Sequence, residues 1–464
     1  MSRRTNRRQF MMHSAAVAAG SAGLLAAPRG AVYGFPANEK LNIAIVGVGG
    51  MGRGHVNDGA VRQENVVALC DIDDRNLYSA ATEVYPHAEK FNDFRVMFDK
   101  MPRDIDAVIC ATPDHCHAVV TAAALRLGKH AYTQKPLTHT VYEAHVLNEL
   151  ARKNPKLATQ MGNQGHSNEG ARRVVEIVRS GALGKIREVH AWTDRPIWPQ
   201  GIDRPTDTPP IPHHVHWDLW LGPMAARPYS PAYHPFAWRG WWDFGTGALG
   251  DMACHVADTA FWALDLRHPT SIEAKSEGNK PESGPKWSII TYEFPARGDL
   301  PPVKFTWYDG HKFPPQELVE KYGLTVRKLR DGKKRGDQDA YENVPGFEDN
   351  GSLLVGEKGA ALLDTYGDQH KLLPEKDFQG FQPPEKTLKR SPGHMRDWIE
   401  AAKNGGQSCS NFEYAGSLTG MVLLGNLALR AGKRIEWDAE NLRATNASEC
   451  EEMIKPAYRK GYSL

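Results

Sequence analysis

The chain is predicted to be an α/β protein in two main parts. An N-terminal doubly wound parallel sheet leads, and a C-terminal α+β domain with a large, mostly antiparallel open sheet follows. Three observations predict this. From Leu41 to about residue 158, short apolar runs alternate with helical stretches. A glycine turn closes the first apolar run. From Ser271 onward, strand-like segments recur as in an open, largely antiparallel sheet. At 464 residues the chain also exceeds one ordinary core. The expected divisions are 1–34, 35–158, 159–392 and 393–464. With 24% charged and 41% apolar residues the composition is that of a soluble globular protein, and a net charge of +2 gives no electrostatic footing for nucleic acid. The six cysteines are scattered without a C-x-x-C pair, which argues for buried thiols and against a disulfide framework or zinc site.

Leu41 to Val46 is β-branched and apolar, as a buried parallel strand requires. Gly47-Val48-Gly49-Gly50-Met51-Gly52 then carries the G-x-G-x-x-G spacing of a Rossmann turn. Gly47 permits the turn, Gly49 lets the backbone approach a pyrophosphate, and Gly52 lets the next helix pack on its strand. That helix would point its N–H groups at the phosphates. A second strand, Asn65 to Cys70, ends at Asp71, placed to bind both ribose hydroxyls of NAD. Its charge disfavours the 2′-phosphate of NADP, a preference that Arg75 would soften. A helix is expected from Asp74 to Val84. Asp106 to Ala111 is a further buried strand, and Thr112, Pro113 and His117 in the loop after it should face the cofactor, because ligands of such sheets sit at the carboxyl ends of strands. A helix over Ala118–Leu127 and a strand over His130–Thr133 lead to Gln134 and Lys135. Lys135 precedes Pro136, so its backbone is extended or cis, and it is a candidate for substrate contact.

These motifs together resemble the Gfo/Idh/MocA oxidoreductases, which use NAD(P) on sugars, inositols and related polyols. The resemblance rests on Gly47–Gly52, on Ala111–His117, and on Gly128 to Leu137 with its Lys135-Pro136 pair. It extends over nearly all of the chain after the first 34 residues. One departure is Gln134, where the family usually has glutamate, which removes a charge near the cofactor.

Thr159 to His166 opens the second domain with polar side chains, and Asn163 and Gln164 suit a hydroxyl-rich ligand. A helix is expected over Glu169–Arg179 and a strand over Gly184–Thr193. Residues 194–247 are rich in Pro, Trp and His with little periodicity, and a long irregular segment inside a domain is usually functional. Aromatic faces there, Trp241 among them, can pack on sugar rings; Trp217 and Trp220 are expected in the core. His213, His214 and His216 have no carboxylate or cysteine at matching spacing, so no metal is expected. Asp251 and His255 are four apart and share a helix face, with Asp258 one turn further as a structural residue. A carboxylate beside a histidine tunes its pKa toward neutrality. The resemblance implies that Lys135, Asp251 and His255 form the catalytic trio: His255 takes the hydroxyl proton, while Lys135 and Asp251 orient the substrate.

Strands are expected at 271–276, 286–294, 303–308, 352–355 and 360–364, a charged surface insertion at 312–350, a connector at 366–392, and helices at 394–403 and 412–430 that brace the first domain. The segment 432–438 also looks like the family, and because that family usually makes its oligomer contact through the outer face of the sheet, the resemblance implies a homo-oligomer. At the start, Arg7-Arg8-Gln9-Phe10-Met11 and the apolar stretch Ser14–Ala27 resemble a twin-arginine export signal, which implies the export machinery as partner and a periplasmic or exported protein, free of the membrane unless the signal stays uncut. Three functions fit: hydride transfer between tightly held NAD (NADP being possible) and a secondary hydroxyl of a sugar, glycoside or polyol; redox-neutral glycoside cleavage through transient oxidation; and non-catalytic sugar binding.

Overall fold

The computed structural model describes residues 40–331, 333–334 and 340–464. The expected export segment at 1–34, together with 35–39, lies outside the described residues.

The first sheet has six parallel strands: β1 (Asn42–Val46), β2 (Asn65–Cys70), β3 (Glu89–Phe91), β4 (Ala107–Cys110), β5 (His130–Thr133) and β6 (Thr159–Met161), in the order β3-β2-β1-β4-β5-β6. The order reverses between β1 and β4, which is where an open α/β sheet leaves a crevice at its carboxyl edge. β1 and β4 are apolar and buried because helices cover both faces. The sheet continues past the boundary expected at 158. β6 pairs with β5 through Thr159–Met161, and Met161 N donates to Ser410 O. The helix after β4 starts at Asp114 rather than Ala118.

The second sheet follows the helix Glu169–Arg179. Its strands are β7 (Ile186–Trp192), β8 (Ser271–Glu277), β9 (Trp287–Phe294) and β10 (Val303–Tyr308). A separate hairpin of β11 (Thr325–Leu329) and β12 (Tyr341–Pro345) comes next in the chain. It occupies part of the stretch expected to be a surface insertion. The sheet resumes with β13 (Gly351–Gly356), β14 (Ala360–Leu363), β15 (His370–Leu373), β16 (Ile435–Asp438) and β17 (Arg443–Ala444). The order is β15-β14-β13-β7-β10-β9-β8-β16-β17, and only the β7–β10 pair is parallel among these strands. β15 falls in the segment expected to be a connector.

β9 alternates in burial along its whole length, so one face is core and the other is not. Its inner residues Ile290, Tyr292 and Phe294 join Phe305 and Trp307 of β10 in the main apolar cluster. The helix Phe412–Ala431 covers this face. It is buried all round because it lies between the sheet and the first-domain helix Val141–Lys153.

Candidate active site

A cavity of about 580 Å³ opens along the carboxyl edge of the first sheet. Its floor is the glycine turn. Gly47 adopts φ +84°, and a Cβ there would stand 2.5 Å from Ala111 O. Gly52 is tighter still, since its Cβ would meet Gly47 O at 2.0 Å. The helix Gly50–Asn57 can therefore start against β1 only because both positions lack side chains. Gly47, Gly49, Gly50 and Met51 line the cavity, while Gly52 lies behind the turn. Asp71 lines it too. One carboxylate oxygen accepts from Val48 N (2.8 Å) and Gly49 N (3.2 Å), and the other from Asp73 N (2.8 Å). The same side chain that is expected to meet the ribose thus also fixes the turn. Arg75 is held by Asp73 through both carboxylate oxygens, at 3.2 and 2.9 Å.

Thr112, Pro113 and His117 line the opposite wall. The His117 ring spans two strand ends, with Nε2 2.8 Å from Thr112 O and Nδ1 2.7 Å from Pro136 O. Gln134 also lines the cavity; its Nε2 donates to Nε2 of the buried His55 at 2.7 Å. The Lys135–Pro136 peptide is cis.

Lys135 Nζ donates to Asp251 Oδ1 at 2.7 Å and to Asp251 O at 2.6 Å, and both residues line the cavity. Three further groups that the sequence did not single out complete the cluster. Arg239 Nε lies 3.2 Å from Asp251 Oδ1, and its Nη1 donates to both Asp114 oxygens at 3.1 and 3.2 Å. Arg195 Nε is 3.6 Å from Asp251 Oδ2. Asp114, buried at the start of its helix, accepts from Thr246 N (3.1 Å) and Thr246 Oγ1 (2.6 Å), which pins the start of the helix Gly247–Val256 to the first domain. Burial alone would raise the Asp251 carboxyl, but the charges of Arg239 and Lys135 outweigh it and hold the group well below its ordinary range.

His255 lies one turn beyond Asp251, buried, edge-on to Tyr366 with ring centroids 5.1 Å apart, and it is not among the cavity-lining side chains. Its Nδ1 has no hydrogen-bond partner. The expected tuning toward neutrality is not found. Burial, then the Lys135 cation, lowers its pKa to about 3, and the opposing pull of Asp251 is smaller. The physical reason is burial, which disfavours the imidazolium, while the one carboxylate that favours it, Asp251, is engaged by Lys135 and Arg239.

The remaining expected substrate contacts are placed elsewhere. Asn163 is fully buried and is not among the cavity-lining residues; its Oδ1 accepts from Ser410 Oγ at 2.6 Å and its Nδ2 is unpartnered. Gln164 is exposed at the start of a short turn, away from the lining residues. Trp241 is a core residue, packed on Tyr233 with Nε1 donating to Ala232 O at 2.8 Å. The aromatic side chains of that segment that do face the cavity are Trp220, Phe236 and Trp238.

A glycine turn without room for side chains, a ribose-side carboxylate and an ion-paired lysine along one cleft define a dinucleotide-binding α/β protein. The chain belongs to the Gfo/Idh/MocA oxidoreductase family: residues 41–162 match the family's NAD-binding Rossmann fold and residues 170–299 its C-terminal alpha/beta domain. Over 152 residues it is 30% identical to an inositol 2-dehydrogenase of Salmonella typhimurium, a match covering 32% of this chain and 45% of that one. Over 162 residues it is 28% identical to a glycosyl hydrolase family 109 protein of Shewanella pealeana, covering 32% and 34%. The chain thus spans less than half the length of either curated relative. The crystal structure of the WlbA dehydrogenase from Bordetella pertussis, in complex with NADH and UDP-GlcNAcA, superposes with a TM-score of 0.57 at 16% identity, covering 86% of this chain and 99% of that one; this likeness carries the fold.

Proposed function

We propose that the protein oxidises a secondary hydroxyl of a sugar, glycoside or polyol, with NAD held tightly in the cleft. The observation that carries this reading is the Lys135–Asp251 pair, which faces the same cavity as the glycine turn and Asp71. Bound NAD supplies the acceptor for the hydride. The chain's own residues do the rest. The turn and Asp71 fix the ribose and phosphates. Lys135 Nζ, steered by Asp251, donates to the substrate oxygen and stabilises the negative charge that grows on it. The hydroxyl proton passes to the neutral imidazole of His255 on the same helix face. A base whose pKa is about 3 holds that proton weakly. Transfer therefore depends on Lys135 lowering the proton affinity of the substrate oxygen in the same step. Asp71, with Arg75 already engaged by Asp73, favours NAD over NADP.

A second reading has a specific basis, the similarity to the family 109 glycosyl hydrolase. In that version transient oxidation acidifies the neighbouring C–H and a glycosidic bond is eliminated without net NADH. The test is to denature the purified protein, identify the released nucleotide, and then assay the intact protein with sugars at 340 nm and with aryl glycosides. NADH formation supports the dehydrogenase, and aglycone release without NADH supports the glycosidase. Failure to find or bind any dinucleotide would overturn both. We also propose export through the twin-arginine route, on the strength of Arg7-Arg8-Gln9-Phe10-Met11, and a homo-oligomer formed through the outer sheet face; fractionation and light scattering test these.

A further inference from the structure

The chain beyond the helix Glu451–Ile454 returns to the dinucleotide cleft by a series of anchors. Lys455 Nζ sits 4.5 Å over the Tyr142 ring. Tyr458 Oη donates to the buried Glu143 carboxylate. Arg459 is the firmest point: its N donates to Pro223 O (2.9 Å), its Nε and Nη2 donate to Gly222 O (3.1 and 2.9 Å), and its guanidinium pairs with Asp218. From there the backbone reaches Arg95, whose Nη1 donates to Gly461 O at 3.1 Å. Tyr462 ends the path. Its ring lies 4.3 Å under the Arg95 guanidinium and 6.4 Å from the Phe94 ring, and it lines the cavity.

The place where it arrives is specific. Each half of a doubly wound sheet serves one mononucleotide, and the β1–β2–β3 half serves the adenosine. Asp71 ends β2 and marks the ribose. Asn92 and Phe94 follow β3 and line the same cavity beyond it. Lys135 and Asp251 are on the other half, at the end of β5. Tyr462 therefore faces the adenine end and is remote from the chemistry. With Ile72 and Phe94 it offers apolar and aromatic surface for a flat heteroaromatic ring, and the guanidinium groups of Arg95 and Arg459, 4.3 and 5.7 Å from its centroid, keep the tyrosine in place.

We infer that Tyr462 is an adenine-contacting residue of the NAD site, carried there by the segment 455–464 as a strap that slows cofactor loss. This rests on the assignment of the cleft to NAD. Binding is measured by tryptophan quenching with three probes: NAD⁺, ADP-ribose, which lacks the nicotinamide, and nicotinamide mononucleotide, which lacks the adenosine. Loss of one aromatic stack is expected to raise the Kd of Tyr462→Ala for NAD⁺ and ADP-ribose by about tenfold while leaving nicotinamide mononucleotide unchanged. Tyr462→Phe should bind like the parent. Arg459→Ala, which leaves the ring intact but loosens its anchor, should release NAD⁺ faster, and it carries the test if Tyr462→Ala does not fold. Unchanged ADP-ribose affinity in Tyr462→Ala, or equal losses for both half-molecules, overturns the inference while the NAD assignment stands. A parent protein that binds neither NAD⁺ nor ADP-ribose overturns the assignment itself.

Discussion

Replacing Asp251 with asparagine tests whether the carboxylate at the domain junction works as a buried anion. Lys135 Nζ at 2.7 Å and Arg239 Nε at 3.2 Å both address Oδ1, and Arg195 stands 3.6 Å from Oδ2. Asparagine keeps the volume and an acceptor, so the change isolates the charge. A hydrogen bond to a charged group contributes ~1.5–3 kcal/mol against ~0.5–1.5 for a neutral one, so the two close contacts lose about 1 kcal/mol each. Lys135 and Arg239 then face each other without the anion between them, which adds roughly 1 kcal/mol more. Arg239 keeps Asp114, which limits the loss. The expected cost is about 3 kcal/mol at neutral pH, at the low end for breaking a buried pair by removing one partner. The pH dependence has a fixed sign. The folded pKa of Asp251 is depressed, so its contribution is fully present above the unfolded value of 3.8 and fades as pH falls below that value through the lower folded one. Urea unfolding, followed by circular dichroism and tryptophan fluorescence together, should show a lower midpoint for Asp251→Asn at neutral pH and convergence with the parent in acid. A cost under about 1 kcal/mol, or a deficit that does not shrink in acid, would refute the pairing.

Other perturbations read other parts of the site. Because His255 is neutral down to about pH 3, the kcat/KM profile should lack an acid limb near the ordinary histidine value of 6.5; a limb there that vanishes in His255→Gln would show that the base titrates normally. The same depression makes His255 an acid liability: its unfolded form takes up a proton as pH falls below 6.5, so stability present above that value is lost between 6.5 and about 3, by about 2 kcal/mol at pH 5, and denaturation curves of His255→Gln should be flatter across this window. Gly52→Ala places a Cβ 2.0 Å from Gly47 O and should cost ~1–3 kcal/mol of stability and more than about tenfold in NAD⁺ affinity by titration; a well-folded variant with parental affinity would mean that the turn is not the phosphate site. Asp71→Asn keeps an acceptor for Val48 N and Gly49 N but removes the charge and the acceptor for Asp73 N, and the ratio of kcat/KM for NAD⁺ over NADP⁺ should fall; an unchanged ratio would assign cofactor choice elsewhere.

Strands β1, β2, β4 and β5 of the first sheet were legible from their buried runs ended by glycine or polar turns, and the helix Glu169–Arg179 because its periodicity is clean; β3 (Glu-Lys-Phe) and β6 (Thr-Gln-Met) carry no apolar run and were missed. The elements that were missed have identifiable reasons. The hairpin of β11 and β12 is exposed or half-exposed at every position but Val326, so no buried face imposes alternation. β15 pairs only along one edge, inside a Pro- and Lys-rich stretch. The helix Val141–Lys153 did carry a signal, since Thr140 and Glu143 form a capping box. At the site, Lys135 and Asp251 could be singled out by local pattern and resemblance. Arg239, Arg195, Asp114 and Thr246 could not, because their roles arise only where an irregular segment of the second domain meets the first. Trp241 illustrates the reverse: composition suggested a sugar platform, but its indole N–H finds a backbone carbonyl inside an aromatic cluster, and the core claims it.

The departure at Gln134 acquires a physical meaning from its neighbour. Its amide donates to His55 Nε2, so that nitrogen is an acceptor and the ring is neutral. Burial lowers the His55 pKa to about 4, which agrees with that assignment. A glutamate in the same place would set an anion 2.7 Å from the ring and favour the imidazolium, exchanging a neutral pair for an ionic one. With glutamine, the pair adds no charge to this wall of the cleft. The charges beside the reacting end then come from Lys135, Asp251, Arg239, Arg195 and Asp114. Arg195 also pairs with Asp194 at 2.9 Å, so three cations meet three carboxylates there, and Lys135 is the cation that both lines the cavity and contacts Asp251 most closely. In the proposed reaction the Lys135 ammonium lowers the barrier to forming an alkoxide, and after burial it is the next cause of the low His255 pKa. In that proposed step Lys135 therefore adds to the weakening of the base that burial begins and acidifies the substrate as well, which brings their proton affinities closer as hydride leaves.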